Sequence, residues 1–155
     1  MAETVKNYFI RRASRDDLAS LVGLLSILFA AESDFAVDEA KQRGGLEMMF
    51  GDLNNRCVLA AELNGKVVGM CTAQLLVSTA EGGLSALIED LVIDGGFRRR
   101  GIGRALLLAV ESWSVEKGAR RLELLADRNN TTALAFYEKM DWKYTQLVCL
   151  HKKYI

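Results

Sequence analysis

Residues 84–117 read LSALIEDLVIDGGFRRRGIGRALLLAVESWSVEK and join a predicted strand to a predicted helix through a loop rich in glycine and arginine. The apolar run at 84–93 predicts the strand, and residues 104–117 predict the helix. Gly101 and Gly103 let the backbone turn tightly with its N–H groups pointing outward, and the following helix adds the positive end of its dipole. The segment therefore predicts a cradle for a phosphate group.

Four arginines surround this cradle: Arg98, Arg99, Arg100 and Arg104. Consecutive side chains cannot all point to one anion, so we expect no more than two of the four to touch phosphate. A Gly-x-Gly pair beside arginines also suits an ordinary strand-to-helix turn, and it lacks the third glycine and the Gly-Lys-Ser/Thr of nucleotide-binding loops.

The run from Arg98 to Gly103 has the form R/Q-x-x-G-x-G/A and resembles the acetyl-CoA signature of the GNAT superfamily of N-acetyltransferases. A second motif lies downstream, after a predicted strand at 121–126. There, Asn130, Ala133 and the pair Phe136-Tyr137 resemble the family's second signature. Two departures stand out. Gly95-Gly96 replaces a frequent proline, and Asp141-Trp142 replaces Gly-Phe.

The resemblance implies where acetyl-CoA binds. Backbone groups at the end of the 84–93 strand would hold the pantetheine chain, while the backbone of 99–104 would hold the pyrophosphate. The implied cofactor-binding residues are Leu91, Val92, Ile93, Arg98, Arg99, Arg100, Gly101, Ile102, Gly103, Arg104, Asn130, Ala133 and Tyr137. The strand side chains suit a core equally well, and Asn130 also suits a turn or a helix N-cap.

Two residues are candidates for catalysis. A phenol of pKa near ~10 can return a proton to a departing thiolate, and in the family a tyrosine at the position of Tyr137 sits beside the sulfur. The alternative is that Phe136 and Tyr137 are two aromatic residues that pack their helix against the sheet. Glu89 is the candidate base for the amine; unless a bulge intervenes, its side chain shares a face with Leu91 and Ile93. Pairing with a neighbouring arginine is the alternative for Glu89.

The acceptor site is expected near residues 29–41, since the first two helices and their turn usually select the acceptor in this family. Glu32 and Asp34 are the acceptor-site candidates, because an acidic rim attracts a cationic amine. Charged helix ends are, however, commonly only solvated.

The composition limits the function classes. The 155 residues carry 20 basic and 20 acidic side chains, so we expect neither nucleic acid nor a membrane as partner. The apolar stretch at 18–31 is too short to span a bilayer, and no signal-peptide pattern precedes it, so we expect a cytoplasmic protein. Cys57, Cys71 and Cys149 are expected to be buried and reduced, and a single histidine argues against a metal site.

The predicted elements give an α/β protein with an α+β mixed sheet. The order is a strand at 8–12, helices from Ser14 and at 38–50, strands at 58–63, 66–76 and 84–93, a helix, a strand at 121–126, a helix at 131–140 and closing strands at 142–154. The order resembles the GNAT fold over a single domain at 8–154. That fold implies a central, mostly antiparallel sheet whose central strands splay apart and are flanked by helices.

We therefore expect an acetyl-CoA-dependent N-acetyltransferase that transfers the acetyl group directly to a primary amine of a small molecule or peptide. The alternative is a GNAT-fold protein that binds acyl-CoA as a sensor or partner-binding module without transfer. The acceptor and the acyl length stay open. A homodimer is compatible with terminal strands that pair between subunits.

Overall fold

The computed structural model describes residues 7–154, and the chain forms two compact units, Met1–Leu124 and Leu125–Ile155. The first unit holds one mixed sheet with strands in chain order, β1-β2-β3-β4-β5. Neighbours from β1 to β4 are antiparallel, whereas β4 and β5 are parallel. The strands are β1 (Tyr8–Arg12), β2 (Arg56–Leu63), β3 (Lys66–Ser78), β4 (Gly83–Ile93) and β5 (Ala119–Leu124).

Three helices belong to this unit: α1 (Leu18–Ala31), α2 (Glu39–Phe50) and α3 (Ile102–Glu116). A short 3-10 turn, Arg15–Asp17, precedes α1, and a second one, Gly95–Phe97, follows β4. The predicted mixed sheet and its flanking helices are thus confirmed, with element boundaries that differ by a few residues. Among residues 7–154, no helix combines the length and apolar character that a bilayer crossing needs.

The β2–β3 hairpin turns at Asn64-Gly65, between the predicted strands at 58–63 and 66–76, and Asn-Gly is a dipeptide typical of two-residue hairpin turns. Asn64 and Gly65 both have positive φ, at 51° and 77°, and Leu63 pairs with Lys66. Two successive residues with positive φ form the turn whose twist suits a two-residue hairpin. This hairpin sets the pairing of β2 with β3 next to the turn, and the register shifts further along, between Ala61 and Glu62.

The helices cover opposite faces of the sheet. Leu21 and Leu25 of α1, with Phe50 of α2, belong to one buried cluster with Met70 of β3 and Val92 of β4. A methyl group added at Gly69, the residue before Met70, would instead lie 3.2 Å from Leu106 Cδ1 of α3. Because successive residues of a strand face opposite sides, α1 and α2 pack on one face and α3 on the other.

The second unit contains α4 (Thr131–Lys139) and the segment that follows it. No strand is assigned at 143–154, so the expected closing strands at 142–154 are absent from the single chain. A strand forms only when an edge satisfies its backbone groups, which the residue pattern alone cannot supply.

Candidate functional site

The arginine-rich loop has two residues in the left-handed backbone region. Arg99 has φ 61° and Gly101 has φ 81°. Gly103 lies in the first turn of α3 without positive φ, so the expected role of both glycines in the turn holds for Gly101 only. Arg98, which precedes Arg99, is extended, with φ −70° and ψ 162°, so the loop changes backbone direction at Arg99 and again at Gly101.

The N-terminus of α3 supplies further donors. Gly101 is the N-cap residue, and its carbonyl accepts the N–H of Ala105 at 3.0 Å. The first backbone N–H groups of a helix, here those of Ile102, Gly103 and Arg104, lack an intrahelical acceptor. A glycine at the N-cap has no side chain that could bind them. Since α3 begins at Ile102, two residues earlier than predicted, Arg104 lies in its first turn. The Ile102 side chain is buried, so only its backbone is available to a ligand.

Two of the arginines contact the loop itself. Arg98 Nε donates to the carbonyl of Ile93 at 3.3 Å, and the Arg100 guanidinium lies 5.4 Å from the centre of the Phe97 ring. Lys66 Nζ lies 5.4 Å from the same ring centre. All four arginines are solvent-exposed. The loop therefore leads into a helix N-terminus and has a positively charged, exposed border.

Strand β4 contains a β-bulge beside this loop. Thr72 pairs with Glu89 and Met70 pairs with Val92, so Cys71 of β3 stands opposite two residues, Asp90 and Leu91. Asp90 has φ 54°, in the left-handed region, and the Cys71 thiol lies 3.6 Å from the carbonyl of Glu89, to which it donates. An extra residue of this kind interrupts the ladder and re-aims the side chains beyond it.

The bulge changes the face on which Glu89 lies. Thr72 and Met70 are two residues apart and share a face, so their partners Glu89 and Val92 share it as well. Val92 belongs to the cluster under α1 and α2. The alternation expected without a bulge, which would place Glu89 with Leu91 and Ile93, is therefore wrong, because the bulge adds one residue.

An acidic group forms on this face. Burial raises the pKa of Glu89, and the negative charges of Asp90 and Glu32 raise it further. Glu32 is the C-cap residue of α1, so the end of that helix lies close enough to affect a carboxyl of β4. Asp34 lies in the exposed turn between α1 and α2. Of the two acceptor-site candidates, Glu32 is thus coupled to Glu89.

Asp90, which forms an acidic pair with Glu89 in the sequence, was not among the candidate site residues. Its Oδ2 accepts a hydrogen bond of 2.9 Å from Thr72 Oγ1 on β3. Burial raises the pKa of the Asp90 carboxyl, and the bond from Thr72 opposes that rise. The available signal was the acidic residue next to Glu89 in an otherwise apolar strand, since aspartate tolerates left-handed backbone better than most residues.

The pairing of β4 with β5 stops part of the way along β4. It runs from Leu84 opposite Ala119 to Ile88 opposite Leu124, whereas β4 continues to Ile93. The stretch from Glu89 to Ile93, which includes Leu91 and Val92, thus has no partner on β5. An amide chain can add along this stretch as a half-strand. The stretch ends at the arginine-rich loop.

The second unit holds Asn130, Ala133 and Tyr137. Asn130 is the N-cap of α4, and its Oδ1 accepts the N–H of Ala133 at 3.0 Å. The Tyr137 ring packs edge-on against Phe136, with centroids 5.3 Å apart, and against Trp142, at 6.4 Å. Its backbone carbonyl also accepts the N–H of Trp142 at 3.0 Å. Both the N-cap role and the aromatic packing are therefore observed within this unit.

Asp141 stands where the family usually has glycine. It has φ 66°, the left-handed conformation that glycine adopts without strain. The departure from the family pattern thus preserves the turn after α4, at an energetic cost that aspartate keeps small.

The cysteines differ in their surroundings. Cys57 and Cys71 are buried, and burial raises the pKa of the Cys57 thiol to about 11 and that of Cys71 further. Cys149 is exposed, contrary to expectation, because its segment forms no paired strand. No group of three or more potential ligands among residues 7–154 is placed to hold a metal ion.

Strand β4 thus contains a bulge, is not paired with β5 beyond Ile88, and is followed by the arginine-rich loop at the N-terminus of α3. Residues 21–142 match the family described as Acetyltransferase (GNAT) family, and this chain belongs to that family.

Relatives support the assignment. The chain is 29% identical over 148 residues to an uncharacterized N-acetyltransferase of Methanocaldococcus jannaschii. The aligned region covers 93% of this chain and 64% of the relative. The chain thus spans less than two thirds of that relative's length. It is also 23% identical over 147 residues to an aminoglycoside N(6')-acetyltransferase type 1 of Salmonella typhimurium, covering 93% of this chain and 97% of the relative.

A solved structure shares the fold over nearly the whole chain. The crystal structure of an aminoglycoside acetyltransferase from an uncultured soil metagenomic sample, in complex with sisomicin, has a TM-score of 0.79 and 26% sequence identity. The alignment covers 99% of this chain and 100% of that chain.

Proposed function

We propose that this chain is an N-acetyltransferase that moves the acetyl group of acetyl-CoA to a primary amine of a cationic small molecule. The proposal treats residues 8–154 as one catalytic domain. The observation that carries it is the free β4 edge from Glu89 to Ile93, which leads directly to the anion-binding loop and the N-terminus of α3.

Donor binding rests on the chemistry of these two parts. Leu91, Val92 and Ile93 offer backbone groups to the amides of pantetheine. The N–H groups of residues 102–104 and the positive end of α3 suit a pyrophosphate, and the exposed arginines add charge. For the second unit taken by itself, the likeness to the family's second signature supports the proposal that Asn130, Ala133 and Tyr137 contact the cofactor.

Acceptor choice follows from charge. Glu89, Asp90 and Glu32 place three acidic side chains near one another, which favours a cationic amine over an anionic substrate. Two of the similar proteins are named aminoglycoside acetyltransferases, and aminoglycosides are molecules that carry amines. Aminoglycosides are therefore the first acceptors to test, ahead of polyamines, amino acids and peptides.

The proposed chemistry is a direct transfer. The neutral amine attacks the thioester carbonyl carbon, the C–N bond forms, and the C–S bond breaks with its electrons on sulfur. Glu89 takes the proton that the amine loses, directly or through water, and Tyr137 donates a proton to the departing thiolate. A backbone N–H near Val92 stabilises the oxyanion.

No covalent enzyme intermediate is needed. The raised thiol pKa values of Cys57 and Cys71 leave little thiolate at neutral pH, so neither is suited as a nucleophile. Mass spectrometry during turnover is expected to find no acetylated cysteine. Acetyl trapped on Cys57, Cys71 or Cys149 would overturn direct transfer.

The experiment that tests the function is calorimetric titration with acetyl-CoA, followed by thiol release on addition of a panel of amines that includes sisomicin. Binding and thiol release with a cationic amine are expected. Absence of acetyl-CoA binding would overturn the proposal. Binding without release from any amine would instead favour the acyl-CoA sensor.

Tyr137→Phe separates the enzyme from the sensor. Loss of a general acid is expected to lower kcat by roughly 10²-fold while acetyl-CoA affinity stays the same. Tyr144→Phe is the matched control, because it removes an exposed phenol from the same unit and should leave kcat unchanged. Equal kcat for Tyr137→Phe and the unmodified protein would remove Tyr137 from the mechanism.

The two acceptor-site candidates, Glu32 and Asp34, have their own test. Glu32→Lys and Asp34→Lys are expected to raise KM for a cationic acceptor and to leave acetyl-CoA affinity unchanged. Glu116→Lys, at the exposed end of α3, is the control for the change in net charge. If all three variants change KM equally, the effect is not local and the acceptor-site assignment fails.

A further inference from the structure

The hydroxyl of Tyr8 is a buried polar group beside the arginine-rich loop. The Tyr8 side chain is partly buried, but its oxygen atom is shielded from solvent, and among residues 7–154 it has no hydrogen-bond partner. A hydroxyl that folding removes from water without a partner lowers the stability of the protein. Such groups are rare in folded proteins, so this one calls for an explanation in the function of the loop.

The strand register places Tyr8 on the face of the sheet that α3 covers. Arg11 pairs with Ala60, which belongs to the cluster under α1 and α2. Tyr8 lies three residues before Arg11, so its side chain points to the opposite face. Arg12 shares the face of Tyr8, and its guanidinium lies 5.8 Å from the centre of the Trp113 ring in α3. The side chains of β1 on this face therefore line α3.

The loop approaches Tyr8 at Gly101, the N-cap residue of α3. A methyl group added at Gly101 would lie 3.4 Å from the Tyr8 hydroxyl. The Gly101 carbonyl already accepts the N–H of Ala105, so the candidate acceptor for the hydroxyl is the carbonyl of Arg100, the preceding residue. Residues 98–101 belong to neither a helix nor a strand. Their peptide units are therefore not held by the repeating hydrogen bonds of regular structure and can change orientation.

Binding of a phosphate group gives the Arg100 carbonyl a reason to turn towards Tyr8. The Arg100 carbonyl and the Gly101 N–H belong to one peptide unit. This unit is planar and trans, so its N–H and its carbonyl point in opposite directions. When the Gly101 N–H turns towards an anion at the N-terminus of α3, the Arg100 carbonyl turns away from the anion. The Tyr8 hydroxyl is a hydrogen-bond donor on the protein side of the loop, where it can meet that carbonyl.

We propose that Tyr8 is a positioning residue for the donor phosphates. Its hydroxyl donates a hydrogen bond to the carbonyl of Arg100 when the Gly101 N–H binds the pyrophosphate of acetyl-CoA. The hydroxyl then gains its partner only in the complex, so it favours the bound conformation of the loop. This inference rests on the function proposed above, because it takes acetyl-CoA as the ligand.

Tyr8→Phe separates this role from an ordinary structural one, because phenylalanine keeps the ring and removes only the hydroxyl. Calorimetric titration with acetyl-CoA is expected to give a dissociation constant roughly 3- to 10-fold above that of the unmodified protein, the effect of about one net hydrogen bond. Urea unfolding without ligand is expected to show no loss of stability, because no bond is removed. Tyr154→Phe, which removes an exposed phenol, is the control and should change neither quantity.

Two results with Tyr8→Phe would overturn the inference alone. A loss of stability without ligand would show that the hydroxyl has a hydrogen bond before acetyl-CoA binds. An unchanged dissociation constant would show that the hydroxyl does not act on the donor site. Both results leave the proposed function standing, provided that the unmodified protein binds acetyl-CoA. Failure of the unmodified protein to bind acetyl-CoA would overturn the proposed function, and this inference with it.

Isotope labelling observes the proposed bond directly. The sequence contains two Arg-Gly peptides, Arg43-Gly44 and Arg100-Gly101. Labelling with carbonyl-¹³C arginine and ¹⁵N glycine therefore gives one carbonyl–amide NMR cross-peak for each peptide. Saturating acetyl-CoA is expected to move the Arg100 carbonyl resonance to higher frequency, because accepting a hydrogen bond deshields a carbonyl carbon. The movement should be smaller in Tyr8→Phe.

The same spectra contain their own controls. The Gly101 N–H resonance should move in both proteins, because it meets the anion in both. The cross-peak of Arg43-Gly44, which lies inside α2, is the internal reference and should stay in place. If the Arg100 carbonyl moves equally in Tyr8→Phe and in the unmodified protein, the hydroxyl is not its donor and the inference is wrong.

Discussion

Thr72 and Asp90 are joined across β3 and β4 by a hydrogen bond of 2.9 Å, in which the threonine hydroxyl donates to the carboxyl. Asp90 is also the residue of the bulge with left-handed backbone, at φ 54°. The bond therefore links a side chain of the regular strand to the point where the neighbouring ladder is interrupted. It stabilises the bulge that places Glu89 on the face of α1 and α2.

Asp90→Asn is expected to change how stability depends on pH. Burial raises the pKa of Asp90, so the folded state binds its proton more tightly than the unfolded chain does. The resulting stability is fully present below the unfolded pKa of about 3.8 and is lost as pH rises through the folded pKa. Asparagine does not titrate and can still accept the Thr72 bond. Urea unfolding over a pH series should show the variant gaining stability, relative to the unmodified protein, as pH rises.

Asp52→Asn provides a control of opposite sign. Hydrogen bonding from Asn55 lowers the pKa of Asp52, so its stabilising effect is present above the unfolded pKa and is lost in acid. This variant should lose stability, relative to the unmodified protein, as pH rises. The prediction fails if the free energy of unfolding depends on pH in the same way for Asp90→Asn and the unmodified protein. That result would mean that Asp90 has the same pKa in the folded and unfolded states.

Gly101→Ala is expected to weaken acetyl-CoA binding. The left-handed backbone at φ 81° costs a residue with Cβ about 1–2 kcal/mol, and the added methyl would lie 3.4 Å from the Tyr8 hydroxyl. In the variant, the unbound loop relaxes to avoid this strain. Binding of acetyl-CoA must then restore the strained conformation, so the dissociation constant for acetyl-CoA should rise roughly tenfold. Calorimetric titration with acetyl-CoA measures the change.

Gly95→Ala is the matched control in the same connection. Gly95 has no positive φ, and an added Cβ would meet nothing within 4 Å. Its affinity for acetyl-CoA should equal that of the unmodified protein. If both variants bind equally well, the left-handed conformation at Gly101 is not needed for the donor site.

The elements that sequence predicted well are those with strong local signals. Asn64-Gly65 has one favoured hairpin conformation, and the apolar period of α3 fits one helix face. Both are determined by residues adjacent in the chain, so they are readable without tertiary contacts.

The bulge in β4 and the structure of residues 143–154 could not be predicted in the same way. The offset at Asp90 depends on the register between β3 and β4, which is set by packing on both faces of the sheet. The residue pattern at 142–154 is typical of strands, but strand pairing also needs a sheet edge, and no strand is assigned at 143–154. The residue pattern therefore could not show the face on which Glu89 lies, which depends on the register between β3 and β4.

Gly69→Ala is expected to destabilise the fold by about 1–3 kcal/mol. The added Cβ would lie 2.7 Å from Ile93 Cδ1, 3.2 Å from Leu106 Cδ1 and 3.3 Å from the carbonyl of Val92. The two side-chain ends lie between the sheet and α3, and the carbonyl belongs to the backbone of β4, so none yields freely. Urea unfolding measures the loss.

Gly44→Ala tests the same change where there is room. Gly44 lies inside α2, and an added Cβ meets nothing within 4 Å. Alanine is the better helix former by about 1 kcal/mol, so this variant should gain stability. A gain at Gly69 as well would show that the contact between β3, β4 and α3 adjusts without cost.

Glu32→Gln is expected to move the acid limb of the pH–rate profile to lower pH. Glu89 must be ionised to act as a base, and its pKa is raised by burial, by Asp90 and by Glu32. Removing the Glu32 charge lowers the pKa of Glu89, so kcat/KM should persist to more acidic solution. The midpoint of the limb is the readout, because weaker acceptor binding changes only its height. Glu116→Gln should leave the midpoint in place; an unmoved midpoint in Glu32→Gln would mean that Glu89 does not set the limb.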